Sequence, residues 1–294
     1  MTDYVVGMGA KTGEPFQISE DSLARHVLVV GSEGTGKTNT LRFLAESQLW
    51  KRRKMSVFDS DGNLCDYVFN QLVYHRTDPR TVILLDPAME MILGFNPLMQ
   101  QSHGSVVARL QRMTQVIIDA GERMGVLHSA DTYRTNPGDE IKYVFAALTN
   151  RESYLTLSLE GGVSVDFFDV LVERKQFLAK IPLQQGSQVY GMLLFESMLI
   201  AAEYCEQQDL YLIFIDELPA FLPAIAVDSF AHLSENRISL IMSCTYGQLA
   251  WFKIHCRPLY NALLSVGSIC AFAAHEQGVD DIVLDVAKRI QGFA

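Results

Sequence analysis

The sequence predicts an α/β fold with a mainly parallel sheet, and two features support this prediction. Several apolar runs end in carboxylates, as in MSVFDSD, TVILLD and YLIFIDE, and helical patterns lie between them. Another apolar run, VLVV, leads into the glycine-rich stretch GSEGTGKTNT. The carboxyl ends of parallel strands meet at one edge of a sheet. We therefore expect the acids and the glycine-rich loop to share that edge.

The glycine-rich stretch has the spacing Gly31-x-x-x-x-Gly36-Lys37-Thr38, which is the P-loop pattern. Its context is a buried strand before it and a helix, TLRFLAESQLW, after it. Backbone N–H groups of such a loop curl around a β-phosphate, and the helix N-terminus adds positive partial charge. Lys37 can reach the β- and γ-phosphates, and the Thr38 hydroxyl can bind Mg²⁺. The nucleotide-binding residues are predicted to be Ser32, Glu33, Gly34, Thr35, Gly36, Lys37, Thr38 and Asn39.

A second part of the site is predicted where the run YLIFI ends in Asp216 and Glu217. An acid at this position holds the Mg²⁺ shell, which assigns Asp216 to the metal together with Thr38. The next acid, Glu217, would orient or deprotonate the attacking water. Of the other strand-end acids, Asp59 is the best further candidate, since its strand is expected to neighbour the P-loop strand.

Composition sets the wider limits. The chain has 294 residues, of which 49% are hydrophobic and 20% charged, which suits a globular domain with a sizeable core. A net charge of −10 lowers the expectation of a general nucleic-acid surface, although a local basic pore stays open. Five widely spaced cysteines indicate free thiols in a reducing compartment. The sequence shows no signal-peptide pattern and no apolar run of about 18 residues, so a cytoplasmic protein is expected.

Polar residues close the run RISLIMSCTY, where a γ-phosphate sensor could lie. Thr245 and Gln248 are the sensor candidates, beside Ser243, and an ordinary polar strand end explains them equally well. The segment YGQLAWFKIH offers aromatic and basic residues for a DNA-gripping pore, with core packing as the favoured fate of Trp251. The basic cluster KRRK at 51–54 is explained by a helix C-terminus without DNA.

The order of these motifs resembles the FtsK–HerA superfamily of P-loop ATPases, and most of all its type IV secretion coupling proteins (TraG/TraD-like). The similar stretches are VVGMGAKTGEPFQISEDSLARHVLVVGSEGTGKT, SVFDSDGNL, ILGFNPL, ERKQFLAKIPLQQGSQVYGMLLFESMLIAAEY, IDELPAFLP and LSENRISLIMSCTYGQLAWF. The resemblance implies a RecA-like nucleotide-binding core over 1–99 and 172–294. The helical pattern of 100–171 predicts a small insertion, which is shorter than the helical domain of those proteins.

The same resemblance implies ATP and Mg²⁺ as cofactors and a homo-oligomeric ring, expected to be a hexamer. Arg237 matches an arginine that reaches a neighbouring subunit's nucleotide, which makes it a catalytic candidate beside Glu217 and Lys37. The family's usual sensor glutamine is replaced here by Thr245 or displaced to Gln248. No transmembrane hairpin is found in the sequence, so any inner-membrane association would pass through a partner protein.

These features predict a ring-forming ATPase that couples hydrolysis to DNA translocation or transfer. Two alternatives stay open: a secretion-system ATPase that handles protein substrates, and an ATP-dependent assembly switch that does not handle DNA. The acidic net charge and the altered sensor favour the switch. The Asp216–Glu217 pair and Arg237 favour a motor.

Overall fold

The computed structural model describes residues 3–8, 15–86, 111–113, 115–116, 165–181, 187–218, 221, 227 and 229–291. The strands are β1 (Asp3–Met8), β2 (Pro15–Ser19), β3 (Val27–Val30), β4 (Met55–Asp59), β5 (Val82–Leu85), β6 (Gln176–Lys180), β7 (Tyr211–Asp216), β8 (Ile238–Cys244) and β9 (Ser268–Ala271). The helices are α1 (Glu20–Leu23), α2 (Lys37–Trp50), α3 (Asn63–Tyr74), α4 (Phe167–Val172), α5 (Ser187–Glu203), α6 (Ser229–Glu235), α7 (Tyr246–His255), α8 (Arg257–Leu264) and α9 (Asp280–Gln291). A short 3-10 helix (Pro79–Thr81) precedes β5.

Seven strands form one sheet in the order β5-β6-β4-β7-β8-β3-β9, and each neighbouring pair is parallel. The first two strands form a separate antiparallel pair. Residues of β3, β4, β7 and β8 are buried along their whole length, because helices cover both faces of the sheet. The predicted α/β fold with a mainly parallel sheet is confirmed.

Two hydrophobic clusters lie on opposite faces of the sheet. One packs α1, α2 and α3 against β3, β4 and β7. The other packs α4 through α9 against the opposite side chains of the same strands. The parallel arrangement brings the ends of β3, β4, β7, β8 and β9 to one edge, the carboxyl edge, where the predicted site residues follow them.

One expectation about strand order is wrong. The strand that ends at Asp59, β4, does not neighbour the P-loop strand β3, because β7 and β8 lie between them. Consecutive strands are often neighbours, but the connection through α2 here crosses the positions of two later strands. Asp59 is instead the register partner of Asp216 on β7.

The predicted insertion at 100–171 falls mostly outside the described residues, and its bounds stay a prediction. Residues 111–113 and 115–116 are helical, within the first of the helices expected there. Helix α4 belongs to the third expected helix and crosses the predicted boundary at 171. Its Phe167, Val170 and Leu171 join the same hydrophobic cluster as α5.

All five cysteines lie in the described part of the chain and are free thiols, as expected. No helix within the described ranges is both long and apolar enough to cross a bilayer.

The start of the P-loop strand is fixed by a buried histidine, His26, whose backbone is left-handed with a φ of 67°. Its Nδ1 accepts a hydrogen bond from the Leu240 backbone N–H at 3.0 Å. Its Nε2 lies 2.9 Å from the Phe230 carbonyl, to which it donates in the matching tautomer. The neutral ring thus joins the start of β3 to β8 and to α6, where the Ser234 hydroxyl also lies 3.1 Å from Nε2.

Burial lowers the pKa of His26 from 6.5 to about 4, which predicts a pH-dependent stability. As the pH falls, His26 is protonated in the unfolded chain before it is protonated in the folded chain. The free energy of unfolding is therefore highest above pH 6.5 and decreases between pH 6.5 and about pH 4. A shift of this size corresponds to a loss of about 3 kcal/mol in the free energy of unfolding. Denaturant unfolding between pH 7 and pH 4 measures it. We expect a His26→Gln variant to be less stable at pH 7 and to show a correspondingly smaller decline than a matched His232→Gln variant. Equal declines in both variants would contradict this role of His26.

Candidate active site

The P-loop connects β3 to α2 at the carboxyl edge of the sheet. Gly34 and Gly36 have φ values of 73° and 102°, a left-handed backbone that glycine adopts without steric cost. Gly36 is the N-cap of the 14-residue helix α2, so the helix points its free N–H groups into the loop. The Lys37 ammonium donates to the carbonyls of Gly31 and Ser32, both at 2.9 Å. The loop therefore presents N–H donors and one cation to the space above it, the donor set that holds an anion.

A segment after β9 supports this loop, and sequence reasoning missed it. The Ser32 N–H donates to the Ala273 carbonyl at 3.1 Å, and the Ser32 hydroxyl accepts from the His275 N–H at 2.6 Å. A Cβ added at Gly31 would lie 2.6 Å from the Phe272 Cβ, so this close approach requires glycine there. The sequence SICAFAA predicts a strand but gives no sign that its exit holds the P-loop.

The P-loop and β7 meet through Thr38 and Asp216. The Thr38 hydroxyl donates to Asp216 Oδ2 at 2.7 Å. The other carboxylate oxygen, Oδ1, accepts a hydrogen bond from the Ser243 hydroxyl of β8. A threonine hydroxyl at the end of the P-loop and a carboxylate at the end of β7 thus lie side by side. Such hard oxygen atoms are the ligands that Mg²⁺ prefers. The residues present therefore fit Mg²⁺, which Thr38 and Asp216 would hold.

Glu217 follows directly and has a strained backbone. Its φ is 62°, a left-handed conformation that costs about 1–2 kcal/mol for a residue with a side chain. The backbone N–H of Glu217 donates to Ser243 Oγ at 3.1 Å. Its carboxylate oxygen Oε2 accepts a hydrogen bond from the Ser60 hydroxyl at 2.9 Å. The Glu217 side chain therefore reaches toward the loop after β4 and is exposed to solvent.

Asp59 and Asp61 lie beside Asp216, and ligand oxygens of the three acids fall within 4.8 Å of one another. The Asp59 carboxylate is already engaged, because its Oδ2 accepts from the N–H groups of Leu64 and Cys65 at 2.7 and 2.9 Å. Burial raises the pKa of Asp59 to about 7, and the neighbouring acids Asp61 and Asp216 add to the shift. Asp59 thus anchors the first turn of α3 and is a weaker metal candidate than Asp216.

The sensor candidates occupy the start of α7. Thr245 is the N-cap, and its hydroxyl accepts from the Gln248 N–H at 3.1 Å. The Gln248 side-chain oxygen accepts from the Thr245 N–H at 2.7 Å, which completes a capping box. Of the three polar residues predicted there, Ser243 is the one that contacts the Asp216–Glu217 pair. A sensor role for Thr245 or Gln248 stays a prediction.

Arg237 lies at the amino ends of the parallel strands, whereas the P-loop of its own chain lies at their carboxyl ends. It is exposed, has a φ of 58°, and separates α6 from the start of β8. The seven residues of β8 span about 20 Å, so Arg237 lies far from its own loop. An action on nucleotide would need a second subunit, as the resemblance implies.

The residues considered for a DNA-gripping pore are mostly engaged within the chain. Tyr246 is buried, and its hydroxyl donates to the Phe272 carbonyl at 2.8 Å. Lys253 forms ion pairs with Asp281 and Asp285 at 2.6 and 2.8 Å. Trp251 stacks on His255 and packs against the hydrophobic core, as its sequence context favours. The pore assignment is therefore wrong for Tyr246, since a buried ring cannot stack on a base.

The basic cluster at 51–54 is partly neutralised. Arg53 and Lys51 both form ion pairs with Glu20 of α1. These contacts agree with a structural role at the C-terminus of α2.

Several solved structures have a fold similar to that of this chain. The bacterial conjugative coupling protein TrwB, unbound, matches with a TM-score of 0.60 and 14% identity over 85% of this chain and 69% of its own. TrwB in complex with ADP and Mg²⁺ matches with a TM-score of 0.57 and 15% identity over 87% and 72%. VirB4 of Thermoanaerobacter pseudethanolicus matches with a TM-score of 0.59 and 13% identity over 97% and 87%. The chain shares its fold with TrwB and VirB4.

The resemblance inferred from motif order is thus confirmed at the level of the fold. Neither a protein-family model nor a curated protein sequence matches this chain. At these identities the likeness establishes the P-loop NTPase fold, and the chemistry has to be argued from the side chains of the site.

Proposed function

We propose that this protein is a Mg²⁺-dependent ATPase. The observation that carries the proposal is the Thr38–Asp216 hydrogen bond, which joins a complete P-loop to a strand-end acid that Glu217 follows. A glycine-rich turn without a ligand would have no need for Lys37, Thr38 and the two acids at the carboxyl ends of the strands. TrwB, a protein of the same fold, has been obtained with ADP and Mg²⁺, which adds support.

Each residue has a role in this reaction. The N–H groups of Gly34 to Thr38 hold the β-phosphate, and Lys37 exchanges its bonds to the Gly31 and Ser32 carbonyls for phosphate oxygens. Thr38 and Asp216 would hold Mg²⁺, which when bound neutralises charge on the phosphates. Glu217 orients the attacking water and accepts its proton. The water oxygen bonds to the γ-phosphorus while the bond to the β–γ bridging oxygen breaks, and ADP leaves.

We further propose that the protein forms a ring and couples hydrolysis to DNA translocation or transfer. Two observations support this. The fold is shared with a conjugative coupling protein. Arg237 lies at the amino ends of the strands, far from the proposed nucleotide site of its own chain. An arginine so placed would serve a neighbour's nucleotide in a homo-oligomer, with a hexamer expected from the resemblance. A cytoplasmic ring that meets the inner membrane or a secretion channel through partner proteins fits this proposal.

An ATP-dependent assembly switch is the second candidate, and specific observations favour it. The net charge is −10, Lys253 is paired within the chain, and the Thr245–Gln248 capping box occupies both sensor candidates. A secretion ATPase that moves protein substrates shares the same site and the same fold. These candidates differ from the DNA motor in their response to DNA.

ATP hydrolysis over a series of protein concentrations, with and without single- and double-stranded DNA, tests the finer proposal. For a DNA motor with shared catalysis, we expect the rate per chain to rise with concentration and DNA to stimulate it several-fold. An Arg237→Ala variant should lose the concentration-dependent part. Arg76→Ala is the matched control, because Arg76 is also an exposed arginine with a left-handed backbone, at a φ of 54°. Hydrolysis indifferent to DNA would contradict the translocase and favour the switch or a protein-secretion ATPase.

A further inference from the structure

Two serine hydroxyls, on different elements, hold the Asp216–Glu217 pair. Ser243 on β8 contacts the Asp216 carboxylate and the Glu217 backbone N–H. Ser60, in the loop after β4, donates its hydroxyl to Glu217 Oε2 at 2.9 Å. The first serine therefore fixes the backbone of the turn, and the second contacts the reactive end of the Glu217 side chain.

The Glu217 carboxylate depends on such a contact for its direction. Its backbone is held in a left-handed conformation, but the exposed side chain has several rotatable bonds of its own. Within the described part of the chain, the Ser60 hydroxyl is the hydrogen-bond donor to this carboxylate. A general base must lie within hydrogen-bond reach of one particular water, so a freely rotating carboxylate loses much of its effect.

The support under Ser60 is rigid. Ser60 is 8% exposed and adjoins Asp59, whose carboxylate accepts from the Asp61 N–H and from the first turn of α3. The Asp59 carbonyl accepts from the Ile181 N–H at 2.8 Å. A loop tied to two neighbouring elements keeps its hydroxyl in place when Glu217 moves.

We propose that Ser60 is a positioning residue that holds Glu217 in its catalytic orientation. The bond satisfies Oε2 and leaves Oε1 to accept a hydrogen bond from the attacking water. This inference rests on the proposed ATPase function and assigns a new residue to the same site. In this role Ser60 acts through the Glu217 carboxylate and not on the substrate directly.

Steady-state ATP hydrolysis and nucleotide binding by Ser60→Ala and Ser60→Thr variants test this role. A hydrogen bond to a charged group predicts a fall in kcat of about 10- to 100-fold for Ser60→Ala, with KM and the affinity for a non-hydrolysable ATP analogue unchanged. Ser60→Thr keeps the hydroxyl and should recover most of the rate. In a Glu217→Gln background, Ser60→Ala should lower the remaining single-turnover rate by less than about twofold, because Ser60 acts through the carboxylate.

Three results would overturn the inference, and they differ from one another. An unchanged kcat for Ser60→Ala means that the bond does not position the base. A fall in nucleotide affinity or thermal stability that accounts for the lost rate means that Ser60 only supports the fold. A wild-type protein that hydrolyses no ATP overturns the proposed function and the role of Ser60 with it, and it is recognised because all variants are then equally inactive.

Discussion

Replacing Glu217 with glutamine is expected to lower kcat for ATP hydrolysis by about 10²- to 10⁴-fold while ATP binding is retained. The amide has the size of the carboxylate and can still accept from Ser60, but it cannot take a proton from water. The Lys37, Thr38 and Asp216 side chains, which we propose hold nucleotide and metal, are not changed. Phosphate release and the binding of a fluorescent ATP analogue, measured on the same preparation, separate the two effects.

A Glu235→Gln variant is the matched control, because Glu235 is an exposed acid at the end of α6, beside His232. It should hydrolyse ATP at the wild-type rate. A Glu217→Gln rate within about twofold of wild type would show that another group activates the water. Loss of nucleotide binding in this variant would instead assign Glu217 to the binding of ATP.

Replacing Asp216 with asparagine should raise the Mg²⁺ concentration needed for half-maximal hydrolysis by at least about tenfold and lower kcat as well. The carboxylate is one of the two proposed Mg²⁺ ligands, and the other is the Thr38 hydroxyl that donates to it. An amide is neutral and a poorer ligand for a hard cation. A titration of Mg²⁺ at fixed ATP concentration measures the shift.

Asp61→Asn is the comparison that makes this titration specific. Asp61 belongs to the same group of acids, but its carboxylate binds the N–H and the side-chain amide of Asn63. We expect a change in the Mg²⁺ requirement of less than about threefold. If the Mg²⁺ requirement rose more for Asp61→Asn than for Asp216→Asn, the metal would be bound by the Asp59–Asp61 group and not beside Thr38.

The parts of the site that could be predicted from sequence are those defined by local pattern. Gly31-x-x-x-x-Gly36-Lys37-Thr38 specifies its own turn and helix start, because left-handed backbone at Gly34 and Gly36 and a helix N-terminus are encoded within a few residues. The buried strand β7 predicts in the same way where Asp216 and Glu217 emerge. These segments come together because parallel strands share a carboxyl edge.

The parts that escaped prediction depend on contacts between distant segments. Nothing local to Asp59 indicates that β7 and β8 separate its strand from β3. The bond between Ser60 and Glu217 joins residues 157 positions apart, and the segment after β9 reaches Ser32 across more than 240 positions. The start of α7, in contrast, has a local signal, because Thr245-x-x-Gln248 has the spacing of a capping box.

The measurement that tests the central claim most directly is ATP turnover by the purified wild-type chain, with Mg²⁺ and with EDTA, alongside Lys37→Ala. The site described above predicts hydrolysis with Mg²⁺, none with EDTA, and loss of nucleotide binding in Lys37→Ala, since the loop would lose its cation. A wild-type chain that neither binds nor hydrolyses ATP in the presence of Mg²⁺ would contradict the assignment of this strand edge as a nucleotide site.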